Sequence, residues 1–192
     1  MKPVVIIGGG ALGSHVVLFG RNWENPIRLI DMDRVEMKNT RSQFHTLMGN
    51  GRNKVQALQQ AMQGMWRLRL DGVPHKLTQD NVAQLLGGAA LVIDCTDNME
   101  ARTVIQQYVQ NEGIPCLHGT LSADATLGLV MWDEHFKADP EGEPGQATCE
   151  DGDSLAFYGL VGARIALTAQ QFLMSGEKQS YQVMPTALIR LT

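Results

Sequence analysis

Three glycines near the start of the chain have a spacing that suits phosphate binding. Gly8, Gly10 and Gly13 follow the pattern G-x-G-x-x-G directly after an apolar run at Val4–Ile7. The run predicts a β-strand, and the amphipathic segment after Gly13 predicts a helix. Glycines at such a turn let phosphate approach the backbone closely, and the helix N-terminus offers unpaired N–H groups. The pattern therefore predicts a nucleotide site, although a purely structural turn would show the same glycines.

Acidic side chains close two later strands of the same pattern. A second apolar run ends at Asp31, where an acid can accept hydrogen bonds from ribose hydroxyls. A further run ends in the letters DCTDN, which bring Asp94 and Asp97 close together. Two carboxylates beside a phosphate site need a cation such as Mg²⁺ to neutralise them. The structural alternatives are a turn acid at Asp31 and an Asx turn or helix cap in the TDN segment.

Alternating strands and helices must position these side chains. We predict strands at 4–7, 27–31, 66–70, 90–95 and 114–119, and helices after Gly13 and at 51–65, 78–86 and 100–110. Such alternation predicts an α/β fold with a Rossmann-like, doubly wound and mostly parallel sheet. Beyond His118 we predict a strand at 126–132, a loop at 133–153, a long helix at 155–174 and two antiparallel C-terminal strands at 181–185 and 186–191.

Composition restricts the class of protein. The 192 residues are 44% hydrophobic and 19% charged, which predicts one globular domain spanning residues 1–192. No apolar run approaches the roughly 20 residues of a membrane helix, and no signal-peptide pattern opens the chain, so we expect a cytoplasmic protein without a membrane partner. A net charge of −4 without a basic run argues against a nucleic-acid partner. The three cysteines are too widely spaced for paired C-x-x-C zinc ligands.

The order of the motifs resembles the ThiF/MoeB family, the adenylyltransferases related to ubiquitin-activating enzymes. The resemblance extends over about residues 4 to 120 and rests on the segments GGGALGSH, DMDRVEMKNTRSQ, GRNK and VIDCTDNMEAR. In that family an acid-x-acid pair, an Asn, a Gln, a Lys and the Asp of T-D-N recur in this order. The corresponding residues here are Asp31, Asp33, Asn39, Gln43, Lys54, Asp97 and the adjacent Asn98.

The resemblance implies activation of a carboxylate with ATP and Mg²⁺. In that chemistry the C-terminal carboxylate of a small ubiquitin-like or sulfur-carrier protein or peptide attacks the α-phosphate of ATP. The products are an acyl-adenylate and pyrophosphate, and no protein nucleophile is needed, so positioning and electrostatics supply the rate. By this resemblance Asp31 would hold the ribose, Lys54 would neutralise the phosphates and Asp97 would hold Mg²⁺. Some members of the family act as homodimers, and a homodimer is therefore included among the expectations.

The chain departs from the family pattern at the phosphate site. Ser42 stands where the family commonly has an Arg, and Arg41 precedes it. We predict that Arg41 contacts the phosphates instead, because a guanidinium on a loop can reach a phosphate from a displaced position. Arg52 is the second candidate. The alternative is that Arg41 faces solvent and that Asn39 and Gln43 only brace the turn. Dimeric members also supply an Arg from a segment ahead of the first strand, and this chain begins almost on that strand.

Two other functions are compatible with these residues. An NAD(P)-binding oxidoreductase would share the glycine turn and Asp31, but it gives no reason for Lys54 together with Asp97, and no Tyr-x-x-x-Lys pair is present. A catalytically silent family member that serves as a docking partner is the second alternative, and the displaced Arg41 would permit it.

The cysteines and one histidine have weaker links to function. Cys149 lies roughly where some relatives carry a thioester-forming or persulfide-forming cysteine, but its acidic neighbours would raise the pKa of its thiol, which favours a structural role. Cys95 and Cys116 lie in apolar strands and are predicted to be core residues. His118 lies at the end of the strand predicted at 114–119, where it could face the site, but we predict a structural histidine with its polar groups satisfied.

Overall fold

A mixed eight-stranded sheet with helices on both faces forms the fold. The computed structural model describes residues 1–137 and 152–191. The strands are β1 (Val4–Ile7), β2 (Ile27–Ile30), β3 (Asp71–Val73), β4 (Leu91–Asp94), β5 (Cys116–Leu121), β6 (Gly128–Trp132), β7 (Ser180–Met184) and β8 (Ala187–Leu191). The α-helices are α1 (Ala11–Phe19), α2 (Lys54–Trp66), α3 (Val82–Leu86), α4 (Met99–Glu112) and α5 (Leu155–Ser175).

The strand order places β1 at the point where the chain changes direction across the sheet. The order is β3-β2-β1-β4-β5-β6-β7-β8, with β1 to β5 parallel and β6 to β8 antiparallel to their neighbours. The predicted Rossmann-like, mostly parallel sheet with antiparallel C-terminal strands is therefore confirmed. In such sheets ligands bind outside the carboxyl ends of the strands, at the point where the strand order reverses. Here that point is at β1, which lies between β2 and β4.

The core lies in two layers, one on each face of the sheet. Successive residues of β1 point to opposite faces, and all of its residues are buried, as expected for a central parallel strand. Val4 and Ile6 pack in the layer formed with α1, α2 and α5. Val5 and Ile7 pack in the layer formed with α3 and α4. Within the described residues, none of the helices combines the length and apolar character needed to cross a membrane.

The structure corrects three predicted boundaries, of which the first is the start of the helix predicted at 78–86, since α3 begins only at Val82. The strand expected at 66–70 is not formed; α2 continues to Trp66, Arg67 ends it with a φ of 57°, and β3 begins at Asp71. The alternating pattern that suggested a strand comes from Leu68 and Leu70, which pack against the same core as α2. The first helix begins at Ala11, so that Gly13 lies inside its first turn rather than ahead of it.

Candidate functional site

A cavity of about 620 Å³ opens at the carboxyl ends of β1, β2, β4 and β5. Its wall is formed by the glycine turn, the loop after β2, the start of α2, the loop after β4 and the end of β5. This is the position that the sheet topology predicts for a ligand. The residues predicted from sequence that line it are Gly8, Gly10, Asp31, Asp33, Asn39, Gln43, Lys54, Asp97 and Asn98.

The glycines of the first turn are required by close backbone contacts. Gly8 has a φ of 91°, and a Cβ atom there would lie 2.8 Å from the carbonyl oxygen of Cys95. A Cβ atom on Gly13 would lie 1.8 Å from the carbonyl oxygen of Gly8. Gly13 therefore permits close packing of α1 on the turn and does not itself line the cavity. Gly10 is the N-cap of α1 and provides no side-chain hydrogen bond to the helix N-terminus.

Asp31 connects the glycine turn to the loop after β2. Its Oδ2 accepts a hydrogen bond from the backbone N–H of Gly9 at 2.6 Å, and its Oδ1 accepts one from the N–H of Asp33 at 2.7 Å. Burial raises the pKa of Asp31, while Lys54 and the two amides oppose that rise. The carboxylate is thus held at the end of β2, at the edge of the cavity where the ribose was predicted.

The start of α2 places Lys54 in the cavity wall. The Asn53 side chain caps the helix by accepting from Val55 N at 2.9 Å, and it donates to the carbonyl oxygens of Asp31 and Asp33. Lys54 is only 9% exposed, and its Nζ lies 3.1 Å from Asp33 Oδ2. A buried ammonium group is therefore fixed beside the acidic loop, where an anionic ligand can compete with Asp33 for it.

Asn39 and Gln43 have different surroundings in the loop after β2. Asn39 Oδ1 accepts from the backbone N–H of Glu36 at 2.9 Å and braces a short 3-10 helix at Met37–Arg41. Gln43 is 9% exposed, and its Oε1 has no hydrogen-bond partner among the described residues. A buried amide oxygen without a partner is uncommon and is consistent with a ligand or water in the cavity.

The loop after β4 separates its two carboxylates. Asp97 is exposed and lines the cavity, whereas Asp94 is 1% exposed and forms hydrogen bonds to Thr96 and His118. Of the two carboxylates at the end of β4, only that of Asp97 therefore reaches the cavity. Asn98 accepts from Ala101 N at 3.2 Å and caps α4, so the helix-cap interpretation is correct for Asn98, which also lines the cavity.

The arginines proposed from sequence lie away from the cavity wall. Arg41 is exposed and packs beside Gly152, and Arg52 donates to Gln60 along α2. Neither is among the residues that line the cavity. Four basic residues that sequence reasoning missed do line it, namely Arg34, His75, Lys76 and Arg102. Arg34 follows β2 closely enough for the rule that identified Asp31 to have indicated it, whereas His75 and Lys76 follow a strand that was predicted too early and Arg102 lies within α4.

The cysteines do not provide a reactive thiol in the described part of the chain. Cys95 is partly buried and packs against the core, as predicted, and it also lines the cavity. Burial raises the pKa of its thiol and makes it a poor nucleophile. Cys116 is buried, as predicted. Cys149 lies outside the described residues. Those residues contain no cluster of three or more His, Cys, Asp or Glu side chains able to hold a metal ion.

His45 contacts the glycine turn through the backbone of Gly9. Its Nε2 lies 2.8 Å from the carbonyl oxygen of Gly9, and its Nδ1 has no partner among the described residues. Burial lowers the pKa of His45 to about 4, although the hydrogen bond to Gly9 by itself raises it. Since this value lies below the roughly 6.5 of an unfolded chain, neutral His45 stabilises the fold above about pH 6.5, and the stability is lost as pH falls toward 4.

This titration predicts a difference between wild type and His45→Gln. Between pH 7 and pH 4, the free energy of unfolding of the wild type should fall by about 3 kcal/mol more than that of the variant. Urea denaturation of both proteins at each pH measures the difference, because all other titrating groups are common to the two chains. Parallel pH profiles would show that His45 is not responsible.

Known proteins share both the sequence pattern and the fold. A family model described as the ThiF family matches residues 2–182. The sulfur carrier protein ThiS adenylyltransferase of Bacillus subtilis is 28% identical over 190 residues, an alignment covering 91% of this chain and 54% of that protein. The chain spans about half the length of the curated relatives it matches.

Two solved structures show the same fold at low sequence identity. E. coli MccB, solved with AMPCPP and MccA, has a TM-score of 0.77 at 12% identity, covering 100% of this chain and 63% of that chain. E. coli tRNA N6-threonylcarbamoyladenosine dehydratase, TcdA, solved with ATP, has a TM-score of 0.65 at 21% identity, covering 92% of this chain and 88% of that chain. Since the family model matches almost the whole length, this chain belongs to the ThiF family.

Proposed function

We propose that this chain is an adenylyltransferase that uses ATP and Mg²⁺ to activate a carboxylate. The proposed substrate is the C-terminus of a small ubiquitin-like or sulfur-carrier protein or peptide, and residues 1–192 are proposed to form one adenylation domain. The main support is a single cavity at the switch point of the sheet that gathers the glycine turn, Asp31, Lys54 and Asp97. The printed names of the relatives, including a ThiS adenylyltransferase, point to the same chemistry.

The side chains and backbone groups of the cavity wall suit a nucleoside triphosphate. The N-terminus of α1 is capped by a glycine without a side-chain hydrogen bond, which leaves its first amides available for an anion. Lys54, Arg34 and Arg102 contribute positive charge around the cavity, and the Gln43 amide oxygen lacks a protein partner. Mg²⁺ is commonly held by one or two carboxylates together with substrate phosphates, so Asp97 alone is an adequate protein ligand. Bound there, Mg²⁺ would neutralise phosphate charge and favour departure of pyrophosphate.

The proposed reaction needs positioning and charge stabilisation from the protein. A carboxylate oxygen of the substrate forms a bond to the α-phosphorus of ATP, and the bond from that phosphorus to the bridging oxygen of pyrophosphate breaks. The carboxylate is already ionised at neutral pH, so no side chain has to remove a proton from it. Asp31 would orient the ribose. Lys54 would leave its ion pair with Asp33 and bind the phosphate oxygens on which charge develops. Gly119 and Thr120, at the end of β5, form the opposite wall, where the acyl group would enter.

Ligand binding tests this proposal against an oxidoreductase. We expect calorimetry to show that MgATP binds at least a hundredfold more tightly than NAD⁺, a difference of about 2.7 kcal/mol. Tight binding of NAD⁺ with no ATP signal would overturn the adenylation proposal.

Turnover tests the proposal against a catalytically silent family member. ATP–pyrophosphate exchange should depend on a small protein ending in Gly-Gly, for which the first candidate is one encoded beside this chain. Tight MgATP binding without exchange in the presence of the carrier would favour the docking role.

Arg34 is a better placed candidate for phosphate contact than Arg41. Arg34 lines the cavity and donates to the carbonyl oxygen of Gly51 at 2.7 Å, so its guanidinium is held near the start of α2. We expect Arg34→Ala to weaken ATP binding roughly tenfold, or about 1.4 kcal/mol, and AMP binding much less. The same titrations of Arg41→Ala test the sequence-based proposal. A larger loss of ATP affinity in Arg41→Ala than in Arg34→Ala would reverse this assignment.

A further inference from the structure

His118 lies in a buried network of charged groups beneath the cavity. Its ring is fully buried, with Nδ1 2.8 Å from Asp94 Oδ2 and Nε2 2.9 Å from Asp133 Oδ1. Phe136 stacks on the ring at a centroid distance of 4.1 Å. Two carboxylates facing both ring nitrogens favour the imidazolium form, because only that form donates from both nitrogens. Burial opposes the charge, but neighbouring Cys116 and the two carboxylates raise the pKa of His118 well above its ordinary value.

Asp94 connects this network to the cavity wall. Its Oδ1 accepts hydrogen bonds from the backbone N–H of Thr96 at 2.9 Å and from the Thr96 hydroxyl at 2.7 Å. Arg102 donates to the carbonyl oxygen of Thr96 at 2.5 Å, and its Nε lies 3.7 Å from Asp94 Oδ2. Thr96, Asp97 and Arg102 line the cavity, whereas His118 does not. Asp94 therefore fixes the loop that carries Asp97 through its hydrogen bonds to Thr96.

Asp133 connects the same ring to α4. Its carboxylate oxygens accept from Gln106 Nε2 at 2.9 Å and from Gln110 Nε2 at 2.8 Å. Both glutamines lie on α4, the helix that carries Arg102 near its start. His118 thus joins Asp94, which holds the loop after β4, to Asp133, which holds the helix that follows this loop.

We propose that His118 is a positioning residue for adenylation: its ring, held between Asp94 and Asp133, fixes Asp97 and Arg102 at the phosphate end of the cavity. This inference rests on the proposed function. Asp31, which we propose orients the ribose, is anchored independently of this network, by the amides of Gly9 and Asp33. Loss of His118 should therefore affect the steps that involve the triphosphate and Mg²⁺ more than the binding of AMP.

The test compares His118→Asn with Leu117→Ala. Leu117 is the preceding residue of β5 and is fully buried in the layer on the other face of the sheet, so its truncation lowers stability without touching the network. For His118→Asn we expect AMP affinity within about twofold of wild type, while kcat for ATP–pyrophosphate exchange falls at least tenfold. The Mg²⁺ concentration giving half-maximal exchange should also rise. In Leu117→Ala, AMP affinity and kcat should change in the same proportion, if they change at all, once both are corrected for the fraction of folded protein.

Asp133→Asn provides a second variant that keeps the contact between His118 and Asp94. We expect a fall in kcat of roughly two- to fivefold and a smaller rise in the Mg²⁺ requirement than in His118→Asn. If His118→Asn does not fold, Asp133→Asn still tests the proposal. In the wild type, ¹⁵N NMR of the histidine rings should show both nitrogens of His118 protonated at pH 8.

The outcomes separate the two proposals. Exchange by folded His118→Asn or Asp133→Asn at the wild-type rate and Mg²⁺ requirement, or equal losses of AMP affinity and kcat, would overturn the positioning role alone. Absence of both MgATP binding and exchange in the wild-type protein would overturn the proposed function together with this inference.

Discussion

Lys54→Met should remove nearly all adenylation activity while leaving the fold intact. We expect the rate of ATP–pyrophosphate exchange to fall roughly a thousandfold, equivalent to about 4 kcal/mol of transition-state stabilisation. The effect should be large because Lys54 is 9% exposed, and a charge in a partly dehydrated site acts more strongly than one in water. The methionine keeps the length of the buried stem, and Asp33, whose side chain is 57% exposed, can be solvated after losing its partner.

Asp33→Asn is the matched control for Lys54→Met. It disrupts the same 3.1 Å ion pair but keeps the ammonium group in the cavity wall. We therefore expect its exchange rate to stay within about tenfold of the wild-type rate, far above that of Lys54→Met. Thermal melting of both variants checks the fold. A Lys54→Met protein that melts like the wild type and exchanges within threefold of its rate would show that Lys54 is not in the phosphate site.

The parts of the fold that follow local patterns were predictable from sequence. The buried run at Val4–Ile7 and the glycines after it predict a central strand and turn, and both form. Asp31 could be assigned to the cavity edge because the end of a parallel strand fixes its place in the sheet. The predicted strand at 66–70 failed because the alternation of Leu68 and Leu70 reflects packing on the core with α2. Apolar periodicity shows which side chains are buried, but not whether the backbone is paired.

The network around His118 could not be predicted because it depends on long-range register. Asp94 and Asp133 are 24 and 15 positions from His118 in the chain. They meet only because β4 pairs with β5 in parallel and β6 returns antiparallel beside β5. The place of Arg34 depends on tertiary structure for a related reason, since in the loop after β2 it is Arg34, and not Arg41, that is among the residues lining the cavity. Loop direction is set by tertiary contacts that a local motif does not contain.

Gly13→Ala should disrupt the glycine turn more severely than any exposed substitution. The added Cβ would lie 1.8 Å from the carbonyl oxygen and 2.9 Å from the carbonyl carbon of Gly8. Both are backbone atoms, so no side-chain rotation relieves the clash, and either α1 must move away from the turn or the turn must open. We expect a loss of more than about 4 kcal/mol in the free energy of unfolding, beyond the usual cost of overpacking. Urea denaturation measures this loss.

Gly64→Ala separates this close contact from the general effect of replacing a helical glycine. Gly64 lies within α2, and an added Cβ there meets no atom within 4 Å. Alanine should stabilise α2 by about 0.5–1 kcal/mol, because it restricts the unfolded chain and favours the helix. ATP affinity should be unchanged in Gly64→Ala and lost in Gly13→Ala, since only the latter displaces the N-terminus of α1 from the cavity. If Gly13→Ala instead kept wild-type stability and ATP affinity, the close approach of α1 to the turn would be unnecessary for binding.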